Sequence, residues 1–136
     1  MTGSRPTPLE WNVAVGTGLL RLGAGVALLR GRRRLPALAG AAADDRAMQR
    51  VFTYFGIRDT AVGLSALLAT RPGSSVPKQL VVQGVADTTD AALLGVALSR
   101  GHLPRLRGIA VIALAAVTAM GEYAGAFALS RRSTSR

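Results

Sequence analysis

Four apolar stretches, Asn12–Leu29, Val51–Thr70, Gln79–Ser99 and Ile109–Leu129, dominate the chain, and each carries at least one ionisable residue near its middle. Each is close to the ~20 residues that a helix rising ~1.5 Å per residue needs to cross a hydrocarbon layer ~30 Å thick. The interrupting residues are Arg21, Arg58, Asp59, Asp87, Asp90 and Glu122. A charge at the bilayer centre costs at least ~2.5 to 3.5 kcal/mol, so such residues must face one another rather than lipid. The expected fold is all-α: an antiparallel four-helix transmembrane bundle around a buried Arg/Asp/Glu network. Residues 1–11 read as a polar N-terminal tail, 12–130 as one membrane domain and 131–136 as a basic C-terminal tail.

The net charge of +10 would suggest a nucleic-acid partner in a soluble protein. Its placement argues otherwise. Apart from Arg21 and Arg58, the Lys and Arg residues cluster at Arg30–Arg34, Arg46 and Arg50, Arg71 and Lys78, Arg100–Arg107, and Arg131–Arg136, at the ends of the apolar stretches. Basic residues flanking apolar segments fit a bilayer with anionic headgroups. No basic segment interleaved with aromatics offers bases a stacking surface, and nucleic acid is not an expected partner.

Aromatic residues are only 4% of the chain, and Gly and Ala fill the apolar stretches, a composition that lets helix backbones approach closely. Gly121 with Gly125, and Gly84 with Thr88, are candidate small-xxx-small contacts. Cysteine is absent, which removes thiolate nucleophiles, disulfides and thiol metal sites together. The single histidine, His102, sits near Pro104 in the Arg100–Arg107 loop and is expected at headgroup level in water. Histidine-based triads and zinc motifs are excluded, and no metal or cofactor is expected.

Between the stretches the chain has distinct punctuation. Arg32–Arg34 follow the first apolar segment, whereas a signal peptide carries its positive charge before that region, so a retained helix is expected. Gly31–Ala43 is basic, broken by Pro36 and rich in alanine, as suits a segment lying along the interface. Asp44 and Asp45 are candidate N-caps for the second helix. Arg71 to Ser75, with Pro77, form the clearest turn. Counting Lys and Arg beside the spans gives nine on the Arg30/Arg50/Arg100 side against six on the other, which favours the first side in the cytoplasm of a bacterial plasma membrane.

On the third stretch Gln79, Gln83, Asp87 and Asp90 recur at helical spacing and form one polar stripe. Thr17 with Arg21, Tyr54 with Arg58, and Thr118 with Glu122 and the adjacent Tyr123 give each other helix a polar face. Counted along the helices at ~1.5 Å per residue, Arg21, Arg58, Asp59 and Asp90 form one layer at ~10 to 14 Å depth, and Asp87 with Glu122 a second at ~18 to 20 Å. The first layer balances its charges through Arg–carboxylate forks. The second has two acids and no cation. With four acids against two bases, a fully ionised interior would carry two excess negative charges, so Asp87 or Glu122 is expected to hold a proton.

The run Phe55-Gly56-Ile57-Arg58-Asp59-Thr60-Ala61-Val62-Gly63-Leu64, with Asp87-Thr88-Thr89-Asp90 in the next span and Arg21 in the first, resembles a family of short four-helix integral membrane proteins of unknown function that is common in actinobacteria. The resemblance implies the topology and the polar core; it brings no activity. The leading functional expectation is a pocket for a lipophilic small molecule. In it Asp87, Asp90 and Glu122 hold or transfer protons, and Arg21, Arg58, Asp59, Gln83, Tyr54 and Tyr123 bind or orient the molecule. Two alternatives stay open: an accessory subunit of a membrane complex whose network is structural, and a proton-coupled transporter acting as an oligomer. A homo-oligomer or a partner membrane protein is compatible with each.

Overall fold

The computed structural model describes residues 5–38 and 45–134, except the side chains of 132–134. Every regular element among the described residues is helical: α1 (Pro8–Gly31), the single turn α2 (Leu35–Leu38), α3 (Arg46–Leu68), α4 (Val76–Ser99) and α5 (Arg105–Thr134). The candidate cap Asp44, the alanines at 39 and 41–43, and the outermost residues of both expected tails lie outside the described residues.

Local chemistry sets the helix ends, and two of them correct the expected boundaries. Thr7 and Glu10 form a reciprocal capping box, in which Thr7 Oγ1 accepts the Glu10 N–H at 3.3 Å and Glu10 Oε2 accepts the Thr7 N–H at 2.8 Å. Pro8 then opens α1, so Pro8–Trp11 belong to the helix rather than to a polar tail. At the other end α5 continues to Thr134, with the Arg131 guanidinium stacked 4.2 Å from the Phe127 ring centroid.

Asp45 caps α3, its Oδ1 accepting the Met48 N–H at 3.0 Å. The α3–α4 connection runs from Ala69 to Ser75. Gly73 takes φ 83° there, and Pro77 lies in the first turn of α4 rather than in the loop. α4 ends on Gly101 at φ 74°, with the Gly101 N–H donating to Leu98 O and the His102 N–H to Ala97 O, both at 3.0 Å. This is a Schellman ending, and it turns the chain sharply toward α5. It also places His102 Nδ1 3.1 Å from Asp45 Oδ2, so His102 has a partner where a solvated side chain was expected. Arg107 adds a second tie across the same end by donating to the Leu38 carbonyl at 3.1 Å.

α1 lies along α3, and glycines set their separation. A Cβ at Gly63 would stand 2.7 Å from the Gly18 carbonyl oxygen, and one at Gly25 2.8 Å from that of Gly56. Gly18 faces Gly63 and Gly25 faces Gly56, so the two helices run in opposite directions. On each helix the glycines recur at seven residues, the spacing of a continuous contact seam. Of the anticipated small-residue pairs, Gly84 receives the Tyr123 ring of α5, and the Thr88 and Tyr123 hydroxyls lie 3.3 Å apart. Gly121 faces open space and Gly125 only approaches Leu80.

α1, α4 and α5 are long and apolar enough to cross a membrane, three helices rather than the four expected. α3 falls short because the adjacent Arg58 and Asp59 interrupt its apolar stretch. The large apolar side chains lie mostly outside: Leu20, Leu106, Leu114 and Met120 are each more than 60% exposed. Arg21, Asp59, Gln83, Asp87 and Asp90 are inside. That inverts the arrangement of a water-soluble bundle and suits a membrane protein.

Two predictions follow from this packing. Gly25→Ala and Gly63→Ala force methyl groups into backbone and are expected to destabilise the protein by about 1 to 3 kcal/mol. Gly16→Ala and Gly23→Ala enter open space and should leave the detergent melting temperature unchanged or higher. Equal melting temperatures for all four variants would refute the seam. The Met48 backbone N–H, and after it His102, hold Asp45 below its ordinary carboxyl value of 3.8. A carboxyl lowered in this way stabilises the fold above 3.8, and that contribution disappears as pH falls through its lower folded value. Wild type should therefore melt above Asp45→Asn at pH ~6, the gap closing below pH ~3.8; a gap that persisted in acid would exclude the charge as its cause.

Candidate functional site

The buried face of α4 reads Val76, Leu80, Gln83, Gly84, Asp87, Asp90, Leu94 and Ala97, one helical stripe that is apolar at both ends and polar in the centre. On α1, Arg21 sits between Gly18 and Gly25; on α3, Asp59 sits between Gly56 and Gly63. The glycine seam therefore sets these two residues opposite each other, with Arg21 Nη1 2.9 Å from Asp59 Oδ1.

Arg21 reaches all three other long helices. Its Nε donates to Gln83 Oε1 at 2.9 Å, and its Nη2 meets Asp87 Oδ2 at 2.8 Å and Glu122 Oε1 at 2.5 Å. Gln83 in turn donates to Thr17 Oγ1 at 3.3 Å, which ties α4 back to α1. Arg58 forms a second hub. Its Nη2 is 2.6 Å from Asp59 Oδ1 and 3.8 Å from Asp87 Oδ1, its Nη1 donates to the Ala86 carbonyl at 2.9 Å, and the same nitrogen pairs with Asp90. The Arg58 guanidinium also lies 5.8 Å from the Phe55 ring centroid. Asp59 Oδ1 is shared by both arginines, which joins the two hubs into one network.

The two-layer reading of the sequence needs correction here. Asp87 and Glu122 do have a cation, because Arg21 extends from its own level to theirs. Counting residues along a helix places Cα atoms, and an arginine carries its charge several ångströms away from its Cα. The excess of acids remains: the network contains Arg21 and Arg58 against Asp59, Asp87, Asp90 and Glu122. Asp87 and Glu122 converge on one nitrogen, Arg21 Nη2. Glu122 Oε2 and Arg58 Nε are buried without hydrogen-bond partners among the described residues.

Of the residues expected at the site, Arg21, Arg58, Asp59, Gln83, Asp87, Asp90 and Glu122 come together. Tyr54 does not. It is 46% exposed, with its ring against Phe55, because it lies on the outer side of α3. Tyr123 packs on Gly84 and pairs with Thr88, beside the network rather than in it. The carbonyl of Ala86 joins the network through Arg58, a contact that no side-chain pattern marks. Thr17 was legible as the residue one turn before Arg21. Compared with protein-family models, curated proteins and solved structures, the chain matches none.

Arg21→Met would leave four carboxyl groups facing Arg58 alone. Its expected cost is about 3 to 5 kcal/mol, the penalty for removing one partner of a buried ion pair. Arg21→Lys should also destabilise, since one ammonium cannot reproduce a planar fork with partners on three helices. Adding Asp87→Asn to Arg21→Met should recover part of the loss. Thermal unfolding in detergent checks the series, and a wild-type melting temperature for Arg21→Met would show that the network does not hold the fold.

Proposed function

We propose that this chain is a multi-pass protein of the bacterial plasma membrane, with α1, α3, α4 and α5 all spanning, and that its centre is an intramembrane acid/base site for a lipophilic small molecule. α3 is counted as a span because pairing neutralises Arg58 and Asp59, the residues that lower its hydropathy. The observation carrying the functional reading is the convergence of Asp87 and Glu122 on Arg21, with Glu122 Oε2 buried and unpartnered. Two carboxyl groups in that position are best served by one shared proton, and a proton held close to an ionised partner is available for acid–base work.

In this reading Asp87 and Glu122 exchange the proton, Asp90 and Arg58 balance its charge, and Arg21 orients the carboxyl groups or a carbonyl on the substrate. The substrate is apolar because it arrives through lipid, past the exposed face of α5. The exposed arginines Arg30, Arg32, Arg33, Arg34, Arg46, Arg50, Arg100, Arg105 and Arg107 share one end of the helices and are assigned to the anionic headgroups of the cytoplasmic leaflet. Kinship with the short four-helix membrane proteins whose Arg-Asp and Asp-x-x-Asp motifs it shares is part of the same proposal.

A second reading is favoured by the occupancy of Arg21: its Nε and both Nη atoms all have protein partners, as in a network that only fixes helix packing. The protein would then be an accessory subunit. Infrared difference spectroscopy across pH separates the two, with Asp87→Asn and Glu122→Gln to assign the bands. The acid/base reading expects a protonated-carboxyl band that either variant removes while the fold survives, and that shifts when a lipophilic ligand binds. Fully ionised carboxylates, with both variants melting lower, would select the accessory subunit.

A further inference from the structure

The two ends of the network are built differently. Beyond Asp90 the interior is closed by Met48, Phe55, Leu94, Ala97 and Leu103, with Leu28 of α1 and Ile112 of α5 packed against them. All four long helices contribute to this seal.

At the opposite end an apolar cluster gathers Ala14 of α1, Val76 and Leu80 of α4, Ala126 and Leu129 of α5, and Ala69 at the C-cap of α3. The seam between α3 and α4 at this end is lined by both polar and apolar groups. A cleft of about 290 Å³ opens there, lined by Ser65, Leu68, Ala69, Ser74, Ser75, Lys78, Gln79 and Val82. At its inner wall Gln79 Nε2 donates to Ser65 Oγ at 2.6 Å and approaches the Val62 carbonyl at 3.4 Å. Gln83 follows one turn further along the same stripe, ~6 Å away, and it already holds Arg21. That interval is one that a bridging water can span.

We propose that water and protons reach the Arg21/Asp87/Glu122 centre from the α3–α4 turn alone, through the cleft at Ser65 and Gln79, while the Met48/Phe55/Leu94 seal closes the other end. In the uptake step a hydronium in the cleft gives up one proton. It leaves as water, the proton passes along bridging waters held by Gln79, Ser65 and Gln83, and an O–H bond forms on the carboxyl pair. The inference rests on the proposed acid/base role for its purpose, but the access route can be tested without it.

The absence of cysteine from the chain gives such a test no background. Single variants Ser74→Cys, Ser65→Cys and Gln79→Cys mark the cleft, and Leu94→Cys and Ala97→Cys mark the seal. The full chain is reconstituted in sealed phosphatidylcholine/phosphatidylglycerol vesicles and treated with a membrane-impermeant cationic methanethiosulfonate. The cleft thiols should react at least about tenfold faster than the seal thiols, since a thiol behind packed side chains reacts only through transient opening. Equal rates at both ends, or protection of Ser65→Cys and Gln79→Cys while the exposed Ser74→Cys reacts, would overturn the proposal. A Gln79→Leu variant supplies the second readout. After a pH jump its protonated-carboxyl band should reach the wild-type amplitude more slowly; an unchanged rate contradicts the route. If wild type shows no such band, the acid/base reading fails, and the labelling ratio still decides the access.

Discussion

Removing the Arg21 guanidinium from water is the step on which the rest of the structure depends. A cation in a medium of low dielectric must be surrounded by acceptors, and one helix cannot provide them. Arg21 finds them on α3, α4 and α5, so a single side chain requires all three helices to be present at fixed heights. The glycine seam meets that requirement sterically. Gly18 and Gly25 on one helix, with Gly56 and Gly63 on the other, bring the backbones close enough for Arg21 and Asp59 to pair with little freedom left to either.

Apolar side chains contribute less to cohesion here than in a soluble bundle. Lipid solvates the outer Leu, Val and Met residues as well as a protein interior would, so their exposure carries no penalty, and small residues, hydrogen bonds and ion pairs must hold the helices together. The apolar clusters at the two ends of the network therefore act as much to exclude water as to stabilise. One cluster gathers around Phe55 and Leu94, and the other lies beside the cleft of the α3–α4 seam.

The caps continue the same logic outside the apolar region. Asp45 serves both the α3 N-terminus and His102, while the Schellman turn at Gly101 brings His102 to it. Loop and cap thereby lock the ends of α3 and α4 together at the arginine-rich end. Without these ties the long helices would rely on the central network and the glycine seam to set their register.

Much of this was legible in one dimension. Helices of this length followed from four apolar stretches, the polar face of α4 from the spacing of Gln79, Gln83, Asp87 and Asp90, and an interior with excess acid from a count of charges. The Thr7/Glu10 box was there to be read as well, since Thr-x-x-Glu before an apolar run marks a helix start. Those features are local or additive, and sequence carries both. Which groups touch is neither. Arg21 reaching Glu122, the Ala86 carbonyl accepting from Arg58, Tyr54 turning outward and Gly18 meeting Gly63 all depend on how helices distant in sequence rotate and slide against each other. A rotation of a few tens of degrees or a slide of one turn preserves every pattern in the sequence and changes every partner. Only tertiary packing decided those, because the low dielectric of the interior leaves a buried charge no acceptable position except beside its counter-charge.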